Sequence, residues 1–341
     1  MRLTSPRAAS SAFDDTFAAT FGPRWPSLRA ALAAPAGKVA LAADAFSSEV
    51  DACPASVLPL PRPLAVRHAP DGGARSGAGA PYYCLDAASL LPPVALGVGS
   101  DDSAVLDACA APGGKLLLLA QLLFAQRADG RDRLLVANEL SQARHARLKR
   151  VVREFLPAEV AAAVRLSRRN SRRRTAPGHF GFAAHHAAGV GFDAVLVDAP
   201  CSSERHVLHQ AGLSRGSSDV PRKAWSVARS RRNAQVQLEL ALSAVDSLRP
   251  GGRMVYSTCS ISPRENQGVV AKLLRRRRGT CELGELNVEA AALAGALGAE
   301  RCEDGLGWMV LPDATARRYG PMFVAVLRKA DTERMLHISP N

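Results

Sequence analysis

Two stretches decide how this chain folds: FDAVLVDAPCSSERH at residues 192–206 and GRMVYSTCSISPREN at 252–266. Each opens on a run of Val, Leu, Met, Ala or Tyr flanked by turn residues, the pattern of a strand buried on both faces. Each run ends on a cysteine, so Cys201 and Cys259 are expected at the carboxyl edge of a parallel sheet, where open α/β folds place their chemistry. Either cysteine alone reads equally well as a small buried hydrophobe. Two thiols at one edge point instead to covalent catalysis.

Working outward, VLDACAAPGGK at 105–115 predicts a strand, a tight turn of small residues and a helix start. Gly113 and Gly114 let the backbone approach a ligand closely, and the amides opening the helix favour a carboxylate or phosphate. The string has neither the GxGxxG of dinucleotide binders nor the GxxxxGK[ST] of phosphate-binding loops, so a nucleoside triphosphate is not indicated. The alternation continues with a helix over 113–126, a strand over 133–139, a helix over 141–156 capped by Ser141, strands over 163–167 and 193–200, a helix over 233–248 and a strand over 252–260. RPGGR at 249–253 is the turn that stops one helix and launches the next strand. Residues 307–313 and 322–329 read as a closing antiparallel pair. The class is therefore α/β, a doubly wound and mostly parallel sheet with an antiparallel edge. Glu139 ends the strand after the glycine turn, where a carboxylate can accept from both hydroxyls of a ribose. An acid there also suits the dipole of the helix that follows.

The rest of the chain sets bounds. With 341 residues, 47% of them hydrophobic, it can bury a sizeable core without staples. Its seven cysteines are odd in number and form no CxxC pair, which argues for reduced thiols outside the secretory route. No apolar run approaches the roughly 20 residues that span a bilayer, so a soluble protein is expected. The net charge of +13 gathers in RLSRRNSRRR at 165–174, RSRR at 229–232 and RRRR at 275–278. All three runs are expected to flank the site and to contact phosphates of a nucleic acid. An aromatic content of 5% argues against a base-stacking platform. His179, His185 and His186 read as an exposed insertion, and no metal site is expected. The domain reading is a targeting or disordered segment over 1–12, a helical extension over 13–80, a catalytic domain over 81–330 and a tail over 331–341.

DACAAPGGK (107–115), DAPCSS (198–203), YSTCSISPREN (256–266), YYCLDAASLLPP (82–93) and RYGPMFVAVLRK (318–329) together resemble the NOP/SUN family of RNA cytosine-5 methyltransferases, over about residues 13 to 329. Within it, ERHVLH (204–209) and FGPRWPSLRAAL (21–32) are similar to the mitochondrial ribosomal-RNA branch. The resemblance implies a class I, Rossmann-like methyltransferase fold with S-adenosylmethionine as cofactor. It places Gly113, Gly114 and Lys115 near the methionine end, Glu139 on the ribose and Arg144 beside it. Asn170 and Ser171 stand where the family has Asp-Gly at the adenine, so the expected carboxylate is missing there.

From spacing alone either cysteine could attack the base, since DNA cytosine methyltransferases use the cysteine of a Pro-Cys dipeptide like Pro200-Cys201. The resemblance assigns attack to Cys259 and release to Cys201. Asp198 can donate or accept at the Watson–Crick edge of the base, and Lys115 can hold Asp198 or lower the pKa of a thiol. The implied substrate is cytidine in RNA, small-subunit rRNA of an organelle, with tRNA as the alternative. A ribosome-assembly factor that keeps the fold with little catalysis is the reading from another class. The branch further implies mitochondrial localisation and a helical-repeat partner of the transcription-termination-factor family.

Overall fold

A computed structural model of the chain describes residues 12–42, 57–69, 82–124, 132–172, 191–210, 220, 221 and 223–331. The histidine insertion, the first eleven residues, the tail beyond 331 and part of the 165–174 arginine run lie outside these.

Among the described residues of 13–80, the helices lie at the start. Helix α1 (Ala12–Phe21) and helix α2 (Trp25–Ala33) replace the single expected helix, because Gly22 takes a φ of +53° and prolines 23 and 26 follow. The chain then forms β1 (Lys38–Ala42) and β2 (Val66–His68), which correct the helical reading. Both join β3 (Tyr82–Asp86) in a three-stranded antiparallel sheet, with β1 central. The alternation that drives this, Val39 and Leu41 inward around Ala40, is too short to stand out in Ala-rich sequence. A 3₁₀ turn over Ala87–Leu90 and helix α3 (Leu91–Leu96) lead into the main sheet.

The predicted strands and helices follow in order, with two short helices, α6 and α7, that were not expected: β4 (Ala104–Asp107), α4 (Gly114–Phe124), β5 (Leu134–Asn138), α5 (Gln142–Phe155), α6 (Ala158–Ala163), β6 (Val164–Ser167), β7 (Phe192–Asp198), α7 (Glu204–Gln210), α8 (Val227–Ser247) and β8 (Leu248–Thr258). Helix α8 starts earlier than its apolar pattern because the Ser226 side chain caps it, accepting from the Arg229 amide at 3.2 Å. The tail of the fold adds α9 (Gln267–Arg276), β9 (Cys281–Gly284), α10 (Val288–Ala296), β10 (Ala299–Arg301), β11 (Trp308–Val310) and β12 (Met322–Lys329).

The sheet order is β10-β11-β12-β8-β7-β4-β5-β6, with β9 added beside β12. Strands β4 to β8 are parallel to their neighbours, and β12 runs antiparallel to β8 and β11. This is the expected doubly wound sheet with an antiparallel edge. Strand order reverses at β4, which has β5 on one side and β7 on the other, so a crevice opens between their carboxyl ends. Helices cover both faces: Ala194 and Leu196 of β7 face the layer of α3, α4 and α5, while Val195 and Val197 face that of α1, α2 and α8. RPGGR becomes a bulge rather than a turn outside the strand, since pairing jumps from Phe192↔Leu248 to Ala194↔Arg253. Arg249 in that bulge reaches Asp193 at 2.5 Å.

The helical start of the chain belongs to this core. Phe13 and Phe17 are buried against Trp25 and against Trp225, which leads into α8, with ring centroids 5.0–5.8 Å apart. Arg24 ties the same segment to Asp313 and Glu300, each at 2.7 Å. Emptying a buried aromatic site costs about 3–5 kcal/mol. Phe17→Ala is therefore expected to lower the stability of the whole domain by that amount in denaturant unfolding, in one transition. A separate early transition, with the main one unmoved, would mean that the helices fold apart from the sheet.

Candidate active site

The carboxyl ends of β7 and β8 lie side by side, Asp198 opposite Ser257, so each cysteine leaves its strand at the same edge. Cys201 Sγ and Cys259 Sγ are 3.3 Å apart, both as free thiols. Ser203 Oγ lies 3.3 Å from the first sulfur and 3.1 Å from the second.

Two fully buried acids hold this approach, each reaching from one cysteine loop into the other. Glu204 accepts from the Ile261 amide at 3.0 Å and from Ser260 Oγ and Trp225 Nε1, both at 3.2 Å. Glu265 accepts from the Ser202 amide at 3.0 Å and the Ser202 hydroxyl, from Gln237 Nε2 at 2.9 Å and from Asn233. Ser203, Glu204 and Glu265 were not singled out in the sequence, although both acids sit inside the quoted cysteine strings.

Lys115, in the first turn of α4, places its Nζ 2.8 Å from Asp198 Oδ2, and Ser257 Oγ donates to Asp198 Oδ1 at 2.9 Å. Asp198 is thus surrounded by donors and accepts in this arrangement. Burial pulls the Lys115 ammonium down, but Asp198, with Cys259 and Asp107, outweighs it and holds the pKa above its ordinary value. Cys259 is held below the usual thiol range, first by the hydrogen bond from Cys201 and also by Ser203 and the Lys115 charge, against burial. Cys201 is pushed well above it by the same bond to Cys259 and by burial.

Beside this pair lies a cleft of about 290 Å³ lined by Tyr83, Asp107, Gly114, Lys115, Arg147 and Asp198. Cys109 forms part of its wall and of the wall of a second cleft, where Glu139, Arg144, Asn170 and Ser171 gather. Burial raises the Cys109 thiol far above its ordinary value, which leaves it inert as a nucleophile. Gly113 takes a φ of +126°, and a Cβ there would meet Val151 at 2.7 Å; one on Gly114 would meet Tyr83 at 2.8 Å. The glycines thus let the turn pack closely. Glu139 is buried, accepts from the Ser141 amide at 2.8 Å and lies 3.4 Å from Arg144 Nε. Ser171 turns its hydroxyl inward to Asn138 Nδ2 at 2.7 Å, and Asn170 Oδ1 accepts the Arg172 amide at 3.1 Å. Both line the second cleft, with side-chain acceptors already engaged.

Asp107, at the end of β4, was also missed. Its Oδ2 is buried without a hydrogen-bond partner in the first cleft, and burial followed by Asp198 pushes its pKa up to about 7. A third cavity, of about 530 Å³, has Cys259 and Ser203 in its wall with Lys38, Asp86, Arg205 and His206.

One basic run is misplaced in the sequence reading. Arg277 pairs with Asp246 at 2.7 Å, one residue from the end of α8 and thus at the amino edge of the sheet, so the 275–278 run does not flank the cysteines. The run over 229–232 does, since Ser230 Oγ is 3.2 Å from Ser262 Oγ in the Cys259 loop.

Residues 94–328 match the family model of the 16S rRNA methyltransferases RsmB/F. The chain belongs to the RsmB/F methyltransferase family. It is 33% identical to the mitochondrial tRNA (cytosine(34)-C(5))-methyltransferase of Mus musculus, over 74% of this chain and 65% of that protein. It is 38% identical to the 5-cytosine rRNA methyltransferase NSUN4 of Bos taurus, over 55% and 44%. With ribosomal RNA small subunit methyltransferase F of Erwinia tasmaniensis it shares 34% identity, over 73% and 45%. The chain thus spans between about two fifths and two thirds of the length of these relatives. Among solved structures, a methyltransferase homolog from Pyrococcus horikoshii superposes with a TM-score of 0.61 at 22% identity, covering 93% of this chain and 94% of that one. The structure of NSun6 from the same organism gives 0.53 at 23% identity, covering 73% and 53%. At these identities they show the fold alone.

S-adenosylmethionine is the cofactor of the family, and the residues here fit it. The unpaired Asp107 oxygen and Asp198 line the first cleft, where they would meet a charged amino-acid moiety, Gly113 and Gly114 leave the turn without side chains, and the buried Glu139 in the second cleft would accept from a ribose.

Glu204 gives the site a pH signature. Burial, then Glu265, raises its pKa to about 7, above the ordinary value of 4.5. The folded state therefore holds a proton that the unfolded state releases between about pH 4.5 and 7. The stability this proton confers is lost as pH rises through that window, at up to about 1.4 kcal/mol per pH unit. In Glu204→Gln, unfolding free energy measured against pH should lose one proton's worth of that downward slope. A wild-type and variant pair with parallel slopes would rule this titration out.

Proposed function

We propose that this chain transfers the methyl group of S-adenosylmethionine to carbon 5 of a cytidine in RNA, with Cys259 as nucleophile and Cys201 as the group that completes the reaction. The observation that carries the reading is the pair of thiols 3.3 Å apart beside the Lys115–Asp198 ion pair, on a glycine turn suited to the cofactor. The cofactor supplies an electrophilic methyl group on sulfur. Carbon 5 of cytosine is too weak a nucleophile to take it unaided. Addition of the Cys259 thiolate to carbon 6 makes carbon 5 the nucleophilic end of an enamine and splits one hard step into two. Asp198 accepts from the amino edge of the base and orients the ring. After transfer Cys201, its own proton passed to solvent once the charge on Cys259 is spent, takes the carbon 5 proton as a thiolate, the ring regains its double bond and Cys259 departs as thiolate. The base must leave any stack to reach this edge, which favours unpaired cytidines.

The exposed Arg229, Arg231 and Arg232 beside the Cys259 loop supply phosphate contacts for RNA. Within RNA, small-subunit rRNA of an organelle is the substrate we favour, from the family match and the 38% identity to a 5-cytosine rRNA methyltransferase. A tRNA substrate is the second reading, favoured by the longer alignment to a mitochondrial tRNA enzyme. The mitochondrial tRNA relative supports a mitochondrial location, where a helical-repeat protein could assist in choosing the target. An assembly factor with little catalysis is disfavoured by the low thiol pKa kept at Cys259.

Bisulfite sequencing of total and organellar RNA, from cells lacking the protein and complemented with wild type or Cys259→Ala, tests the reading. One ribosomal cytosine should lose its signal and regain it with wild type alone. A lost tRNA signal would favour the second reading, and an unchanged methylome with defective ribosomes the assembly factor. Cys201→Ala should trap a covalent RNA adduct that survives denaturing gels, and fast, clean turnover by that variant would remove Cys201 from the mechanism.

A further inference from the structure

Ser203 stands immediately before α7, a position where a serine ordinarily keeps a negative φ and turns its hydroxyl onto the first-turn amides of its own helix. Here the backbone begins the helix, since the Val207 amide donates to the Ser203 carbonyl at 3.1 Å, but φ is +50°. Side chains other than those of Asn and Asp seldom adopt that left-handed conformation. Its neighbours impose it: Ser202 is clamped by Glu265, and Glu204 is clamped to Ser260 and Ile261. The consequence is that the hydroxyl points at the two sulfurs, 3.1 Å from Cys259 and 3.3 Å from Cys201.

Counting protons in this triangle assigns the donors. When Cys259 is a thiolate, one proton remains on Cys201 and one on Ser203, and a thiolate can accept both. The Ser203 contact is the shorter of the two. We propose that the Ser203 hydroxyl is a catalytic hydrogen-bond donor that holds Cys259 Sγ as a thiolate and aims it into the cavity both residues line. The proposal deepens the reading of Cys259 as nucleophile and rests on it. An alcohol suits the task because it donates without ionising or competing as a nucleophile. Once Cys259 is bonded to carbon, the same hydroxyl is within reach of Cys201 and can donate to that sulfur when its turn comes. No proton need be transferred through serine in either step.

The test needs neither RNA nor methyl donor. Alkylation of the purified full-length protein by iodoacetamide is followed against pH, with modification at Cys259 read by peptide mass spectrometry. Ser203→Gly removes the hydroxyl and suits the positive φ; Ser203→Ala removes it while keeping the Cβ and its packing. A hydrogen bond to a charged acceptor is worth about one pH unit at that acceptor. Both variants should therefore move the midpoint of Cys259 alkylation up by about one unit and slow it about tenfold at neutral pH, with the plateau at high pH and the melting temperature kept. An unmoved midpoint in both variants would overturn the proposal, and so would a lowered plateau at unchanged midpoint, which is the mark of a backbone role. A shifted midpoint in a protein that methylates no RNA would leave the donor role standing and remove the methyltransferase reading; an unmoved midpoint in an active enzyme would remove the donor role alone.

Discussion

The mutual grip of Glu204 and Glu265 is the constraint on which the site depends. Each acid comes from one cysteine loop and takes its hydrogen bonds from the other, so neither loop can shift without stripping a buried carboxylate of donors. Leaving such a group unsatisfied costs several kcal/mol, far more than a surface contact could restore. Strand pairing alone sets the cysteines on neighbouring strands. It is this grip that brings their sulfurs to 3.3 Å and forces Ser203 into its left-handed conformation.

At that distance the two thiols cannot behave alike. A negative charge on one sulfur disfavours a second charge beside it, so the environment has to choose which ionises. The hydrogen bond from Cys201 and the Lys115 charge support Cys259, whereas the bond to Cys259 and burial work against Cys201, and Ser203 lies within reach of both sulfurs. The choice is reversible within a catalytic cycle. In the proposed cycle, bonding of Cys259 to carbon removes its charge and with it the penalty on Cys201, which can then give its proton to solvent and act as a base. The spacing thus yields an ordered pair of roles from two chemically identical groups.

Much of this was legible in the sequence because the strands carry it locally. Val195, Leu196 and Val197 must be buried on both faces, RPGGR must interrupt regular structure, and a cysteine after each strand has one edge to emerge from. The family strings then distinguished the two cysteines, which spacing could not. What escaped were features that depend on distant partners. Val39 and Leu41 become strand residues only because β2 and β3 pair with them, and the arginines over 275–278 read as site-flanking until Asp246 turns one of them to the far edge. Ser203, Glu204 and Glu265 look like ordinary loop polar residues until the opposite loop is in place. Asn170 and Ser171 line the second cleft beside Glu139, but the engagement of Ser171 with Asn138 is a contact across neighbouring strand ends that no local pattern encodes.

The same reasoning extends to the wall of the cavity that opens on Cys259 and Ser203. Asp86 caps the 3₁₀ turn through the Ala88 amide at 2.9 Å, accepts the Gly320 amide at 3.0 Å and faces Arg205 Nη1 at 3.6 Å. Arg205, from the helix after Cys201, also donates to the Ala31 carbonyl at 3.1 Å and the Arg318 carbonyl at 2.9 Å. One buried guanidinium therefore joins α2, the turn after β3 and the loop before β12 around the space that opens on Cys259. Helix α2 thus braces the wall of that cavity through Arg205, as well as forming part of the core. A catalytic motif carried on the Rossmann-like sheet alone would present the thiols at an open edge, whereas here three distant segments wall the cavity that opens on Cys259.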